Sequence, residues 1–206
     1  MKRVQILLAI LISSFIMFSC SAKNDSDTIN EETNSTIFVI HERTSIRQFT
    51  SQKLTKEQLE ILVKAGMAAP SATNAQPWHF IVVDNTELLK AIGESINTSK
   101  SVAEAPVAIL VCGDMHKAKE GWLQQYWIQD CSAASQNILL AATSMKLGAV
   151  WTSIYPAEDR IKKVSDILNL PNHIIPLNVI PIGYPKNPKS PMDKWKPENV
   201  SWNNWK

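Results

Sequence analysis

Apolar positions along this chain change period several times, and each change predicts an element of secondary structure. Residues 37–43 read as a short helix. Thr55, with Gln58 three residues on, carries a capping-box signature. Leu59, Leu62, Val63 and Met67 follow at helical spacing, so this helix turns one face to a core until Pro70 stops it. The β-branched and aromatic run 79–83 predicts a strand, and Leu88, Leu89 and Ile92 restore helical spacing over 86–96. Residues 106–112 are apolar without interruption at strand length, the pattern of a central strand covered on both faces. Between Glu120 and Leu147 there is no proline and one glycine, Gly121, which predicts a single long helix with Gly148 as its C-cap. Trp122, Leu123, Trp127, Ile138, Leu139, Leu140 and Met145 make that helix apolar on more than one side, more than a surface helix requires. A strand at 150–154, a helix at 157–168 and a strand at 177–182 complete an α+β alternation.

The two ends differ from this middle. Lys2 and Arg3 precede an apolar run from Val4 to Phe18 that falls short of the roughly 20 residues a membrane-spanning helix needs, so residues 1–19 are expected to be an export signal. Ser19 then precedes Cys20, the arrangement in which signal peptidase II cuts and the cysteine is lipidated; cleavage by signal peptidase I after Ala22 is the alternative. Residues 20–35 are polar with one apolar residue, Ile29, and are expected to be a flexible tether, because so little surface can be buried there. This places the folded domain at 36–206 and the protein in the bacterial cell envelope, lipid-anchored or periplasmic. From Tyr184 onward the chain is irregular and rich in proline, yet it carries Trp195, Trp202 and Trp205. Each tryptophan can bury about 150 to 250 Å², so this tail is expected to pack on its own domain or on a second subunit.

Composition narrows the function classes. With 206 residues, 45% of them hydrophobic and 19% charged, the chain suits one globular domain. The formal charge of +2 is accounted for by Lys2 and Arg3, so nothing suggests a nucleic-acid partner. Besides Cys20 there are two cysteines, Cys112 and Cys131, without CxxC or histidine spacing; they read as small buried residues and no metal site is expected.

Three segments carry hydrogen-bonding or charged groups in unusual density. Arg43-Thr44-Ser45-Ile46-Arg47 sets two guanidiniums and a hydroxyl within five residues, suited to a phosphate or to a plain solvated turn. Residues 69–80 form a rigid loop between helix and strand, in which Ser71, Thr73, Asn74 and Gln76 could read a planar heterocycle or simply build a turn. Lys194-Trp195-Lys196 follows the last strand and, taken alone, is a basic tail.

In this order the three segments resemble the nitroreductase family of FMN enzymes, over about residues 36–206. The most specific match is Pro70-Ser71-x-x-Asn74-x-Gln76-Pro77-Trp78-His79-Phe80; Arg43-x-Ser45-x-Arg47 and Lys194-x-Lys196 match the N-terminal and C-terminal motifs, with lysine replacing arginine at the last position. The resemblance implies a central mixed sheet flanked by helices, a long central helix, a C-terminal extension and an intertwined homodimer. It implies that Arg43, Ser45, Lys194 and Lys196 hold the FMN phosphate and that Arg47 lies by flavin N1 and O2. Pro70, Ser71 and Asn74 would contact the isoalloxazine edge, and Trp151, Thr152 and Ser153 would form the turn that faces N5, where the family's familiar Glu-Gly pair is absent. Asp130, Ala134, Gln136 and Asn137 match family helix positions and read as structural. The implied activity is ping-pong transfer of two electrons from a reduced donor, NAD(P)H in the family, to a nitroaromatic, quinone or similar acceptor. No side chain need act as nucleophile, and His79 reads as a packed strand residue. The alternatives are a flavin-binding or scaffold lipoprotein without turnover, and a reductive dehalogenase-like relative.

Overall fold

In the computed structural model, backbone is described for residues 31–96 and 100–205, and side chains from Ser35 onward. The expected signal, Cys20 and most of the expected tether lie outside these residues. Contacts group residues 35–206 as one compact unit. The elements in chain order are α1 (Glu31–Glu42), α2 (Lys56–Met67), β1 (Trp78–Val83), α3 (Thr86–Ser95), α4 (Lys100–Ala103), β2 (Val107–Asp114), α5 (Tyr126–Ser144), β3 (Gly148–Ala149), β4 (Thr152–Ser153), α6 (Glu158–Leu168) and β5 (Ile174–Gly183). α1 starts at Glu31, ahead of the boundary at 36 that composition suggests.

Strand β2 organises the molecule. All eight of its residues are buried, and their alternation divides the core in two. Val107, Ile109 and Val111 pack with Leu62 of α2 and with Trp127, Cys131, Ala134, Ile138 and Ala142 of α5 on one face. Ala108, Leu110 and Cys112 pack with Leu89 and Ile92 of α3 and Val164 of α6 on the other. The strand order is β1-β2-β5-β3, with β4 also on β5, and every pairing of these strands is antiparallel. The parallel component of the mixed sheet is an isolated bridge between Ser45 and Ala149. A bulge at Leu177 separates the pairs Val111–Asn178 and Cys112–Pro176, and the Leu177 carbonyl accepts from the N–H groups of Ile154 and Tyr155, both at 3.0 Å.

Local signals explain most element ends. The capping box at α2 is present in both directions: Gln58 N donates to Thr55 Oγ1 at 3.2 Å and Thr55 N to Gln58 Oε1 at 2.9 Å. The long helix departs from expectation at both ends. Gly121 has φ 65° and starts a 3₁₀ turn, Gly121–Gln125, before α5 proper. At the other end Lys146, not Gly148, takes the left-handed conformation, with φ 58°. Leu147 N donates to Ala142 O at 2.8 Å and Lys146 N to Thr143 O at 2.9 Å, a Schellman motif that closes the helix before the glycine is reached.

Cys112 and Cys131 are free and buried. Desolvation pushes the Cys112 thiol up to about 12 and raises Cys131 as well, so neither is a thiolate nucleophile at neutral pH.

Candidate functional site

The Arg43–Arg47 segment takes its shape from one apolar residue. α1 ends as Arg43 N donates to Val39 O at 3.1 Å, and the extended chain beyond it is held by Ile46 N donating to Ala149 O, also at 3.1 Å. Ile46 is buried, and alternation in extended chain sends Ser45 and Arg47 to the opposite side. Gly148 makes room for it: a Cβ there would lie 2.6 Å from Ile46 Cγ2. We therefore expect Gly148→Ala to cost about 1 to 3 kcal/mol of stability, read as a lower midpoint in urea; an unchanged midpoint would show that Ile46 has space to retreat.

The chain's C-terminal segment returns over this strand. Thr50 N donates to Tyr184 O at 2.8 Å and Lys186 N to Gln48 O at 3.0 Å, Asn187 Nδ2 donates to Gln48 Oε1 at 2.9 Å, and Phe49 bridges Pro185. Between strand and segment lies a cavity of about 650 Å³, walled by Arg43, Thr44, Ser45 and Arg47 on one side and by Lys189, Met192, Asp193, Lys194 and Trp195 on the other. Four cationic side chains face one carboxylate, Asp193, whose Oδ1 accepts from Trp195 N at 2.9 Å. Among the described residues Arg43, Arg47, Lys189 and Lys194 make no ion pair, so the cavity carries uncompensated positive charge and suits a multiply charged anion. Lys189 escapes sequence reading because it lies in a proline-rich stretch without a motif.

The remaining expected site residues are not in this wall. Lys196 precedes the short 3₁₀ turn Pro197–Asn199 and is exposed. The 70–77 loop is built as a rigid surface feature. Thr73, Asn74 and Gln76 all have positive φ, at 52°, 56° and 49°, a strain that persists only where surroundings enforce it. Enforcement comes from Ala72 N donating to Asp130 Oδ1 at 2.9 Å, Gln76 N to Ser71 Oγ at 3.0 Å and Gln76 Nε2 to Asn74 Oδ1 at 3.0 Å. Asp130 is thus structural, as is Asn137, which donates to Ala65 O at 3.0 Å. Pro70 and Asn74 are exposed and Ser71 is half-buried. Trp151, Thr152 and Ser153 form a strand edge rather than a free turn: Thr152 and Ser153 pair with Val179 and Asn178, and Trp151 Nε1 donates to Ser153 Oγ at 3.0 Å. The Ser45–Ala149 bridge sets them near the Arg43–Arg47 strand without lining the cavity. His79 is exposed, not packed, on β1, an edge strand with β2 as its one neighbour in the sheet.

The model of the "Nitroreductase family" matches residues 40–103 and 96–184 of this chain, a span that includes the Arg43–Arg47 strand and the 70–77 loop. The chain belongs to the nitroreductase family. A protein of Methanothermobacter thermautotrophicus, named provisionally as an NADH dehydrogenase/NAD(P)H nitroreductase, is 43% identical over 166 residues, covering 81% of this chain and 85% of the other. A crystal structure from Parabacteroides distasonis, with the same provisional name, superposes with a TM-score of 0.80 at 44% identity, covering 84% of this chain and 99% of that one. The FMN-dependent nitroreductase of Clostridium difficile R20291 superposes with a TM-score of 0.75 at 28% identity over 82% of this chain and 99% of that one. Within this nitroreductase-family chain, the C-terminal wall of the cavity lies beyond the residues that the family model matches.

Proposed function

We propose that the chain binds FMN and works as an NAD(P)H-type oxidoreductase, passing two electrons in ping-pong fashion to a quinone, nitroaromatic or similar acceptor. The observation that carries this reading is the unpaired cationic cavity formed by Arg43, Ser45, Arg47 and Lys194, which fits a phosphate-bearing cofactor in charge and donors. Arg43 and Lys194, which line the cavity, would hold the phosphate, with Ser45 donating its hydroxyl. FMN, when bound, supplies the redox chemistry, accepting a hydride from a reduced donor and giving its electrons to the acceptor. The side chains supply position and field. Arg47, which lines the same cavity, would supply a fixed positive charge to the flavin, favouring the electron-rich state and raising its potential.

We further propose that the working unit is a homodimer. Pro70, Ser71 and Asn74 stand on a surface loop away from the cavity, and Trp195, Trp202 and Trp205 are 69%, 78% and 96% exposed. A second copy would cover these aromatic rings and bring its own 70–76 loop to the ring edge, joining the two halves of the site. Export and lipidation at Cys20 would place this unit in the cell envelope, where the reduced donor would be NAD(P)H or a substitute such as a quinol.

Steady-state oxidation of NADPH with menadione or a nitroaromatic acceptor tests the activity. Parallel double-reciprocal lines are the expected pattern; flavin bound without turnover would instead favour the storage or scaffold role. For Arg47→Ala we expect a midpoint potential lower by about 30 mV, equivalent to about 1.4 kcal/mol for a two-electron couple, with little loss of affinity. A potentiometric titration showing no shift would remove Arg47 from that role.

A further inference from the structure

We propose that Asp114, His116 and His173 form a binding site for one divalent first-row transition cation, of the Zn²⁺ type. Their ligand atoms, one carboxylate oxygen and one imidazole nitrogen from each histidine, all lie within 4.8 Å of one another. None of the three lines the cationic cavity. The proposal therefore does not depend on flavin binding, and it reverses the expectation drawn from cysteine and histidine spacing.

The backbone brings these donors together. Asp114 ends β2 and pairs with Ile174 at the start of β5, which puts His173 directly across from the turn that carries His116. Met115 N donates to His173 O at 2.8 Å, extending the ladder past the strand ends, and Lys117 N and Ala118 N both donate to Asp114 O at 3.0 Å. The two imidazole rings lie face to face, with centroids 3.8 Å apart and planes 10° from parallel. The donor atoms are thus close before any ion arrives, and His116, whose ring is exposed, can rotate to bring its nitrogen within the roughly 2.0 to 2.2 Å that zinc requires.

The donor chemistry selects the class of ion. Two imidazoles and one carboxylate suit Zn²⁺, Cu²⁺ or Ni²⁺, whereas Mg²⁺ and Ca²⁺ prefer sites made wholly of oxygen. Three protein ligands leave a coordination position for water. Asp114 is 8% exposed, and both of its carboxylate oxygens already have partners. His116 N donates to Asp114 Oδ1 at 3.0 Å, while Lys117 Nζ pairs with Oδ2 at 3.4 Å. Lys117 is half-exposed and can swing into water, leaving Oδ2 to the ion; it is a competitor for the site.

The ion would clip three pieces of chain. Asp114 N donates to Pro77 O, so the site adjoins the end of the rigid 70–77 loop as well as the turn entering β5. Binding at this point would stabilise the folded state in proportion to free metal.

The test is titration of untagged full-length protein with Zn²⁺ by calorimetry and by equilibrium dialysis, beside the thermal midpoint with and without the metal. The double variant His116→Ala/His173→Ala keeps every other histidine and thiol and serves as the baseline. We expect one Zn²⁺ per chain above that baseline, a raised thermal midpoint and no such response to Mg²⁺. Loss of the exposed ligand in His116→Ala should weaken binding more than about tenfold, whereas His79→Ala, an exposed histidine on β1, should leave it unchanged. Lys117→Ala should tighten binding about two- to threefold by removing the competing ion pair. Wild-type uptake no greater than the double variant's, or a loss that follows His79 and not His116, would overturn the site.

Discussion

Arg43→Ala is expected to weaken FMN binding by about 10- to 150-fold. Arg43 leaves α1 half-buried, with its guanidinium at the cavity wall and no carboxylate partner among the described residues. Its charge is therefore available to a ligand instead of being spent on an internal pair. A charge-assisted hydrogen bond is worth about 1.5 to 3 kcal/mol, which converts to the range above. Arg43→Lys should fall between, since an ammonium keeps the charge but loses the planar fork that meets two phosphate oxygens. Quenching of flavin fluorescence measures both. Apo-protein stability should move by less than about 0.5 kcal/mol, which separates lost binding from lost folding. Wild-type affinity in Arg43→Ala would remove the phosphate assignment.

Ending the chain after Pro188 is expected to have a larger effect. It removes Lys189, Lys194 and Trp195 from the cavity wall, and Lys196 and the two last tryptophans with them. Two lost charge-assisted contacts alone amount to about 3 to 6 kcal/mol, more than about 150-fold in affinity. The hydrogen bonds from Thr50, Lys186 and Asn187 lie before the cut, so the core should still fold. If the exposed tryptophans are dimer contacts, the shortened chain should also sediment as a monomer across concentrations at which the full chain is a dimer. A truncated chain that remains dimeric and binds FMN normally would reject the role given to the tail.

The fold was legible where a local signal acts alone. The Thr55–Gln58 box, the doubly buried β2 and the helical spacing in α2, α3 and α6 each depend on neighbours in sequence, and each appears as read. The end of α5 was not legible, because the hydrogen bonds of the Schellman motif put Lys146 in the left-handed position and leave Gly148 to solve a packing problem with Ile46, a residue far away in the chain. For the site, Arg43, Ser45, Arg47 and Lys194 could be picked out as charge and hydroxyl clusters, and tertiary bridges at Ser45 and Phe49 then brought them together. Those same bridges placed Lys189 in the wall, though no motif marks it. His79 was misjudged because its exposure is set by the tertiary fold and not by the strand pattern. Likewise Asp114, His116 and His173 meet only through the register of β2 against β5, which spacing along the chain does not reveal.

The most direct measurement is the absorbance spectrum of full-length protein after reconstitution with FMN and removal of free flavin. One tightly held FMN per chain is expected, with a visible band that dithionite or NADPH bleaches and menadione restores. A correctly folded protein that stays colourless after this treatment would contradict FMN binding by this chain.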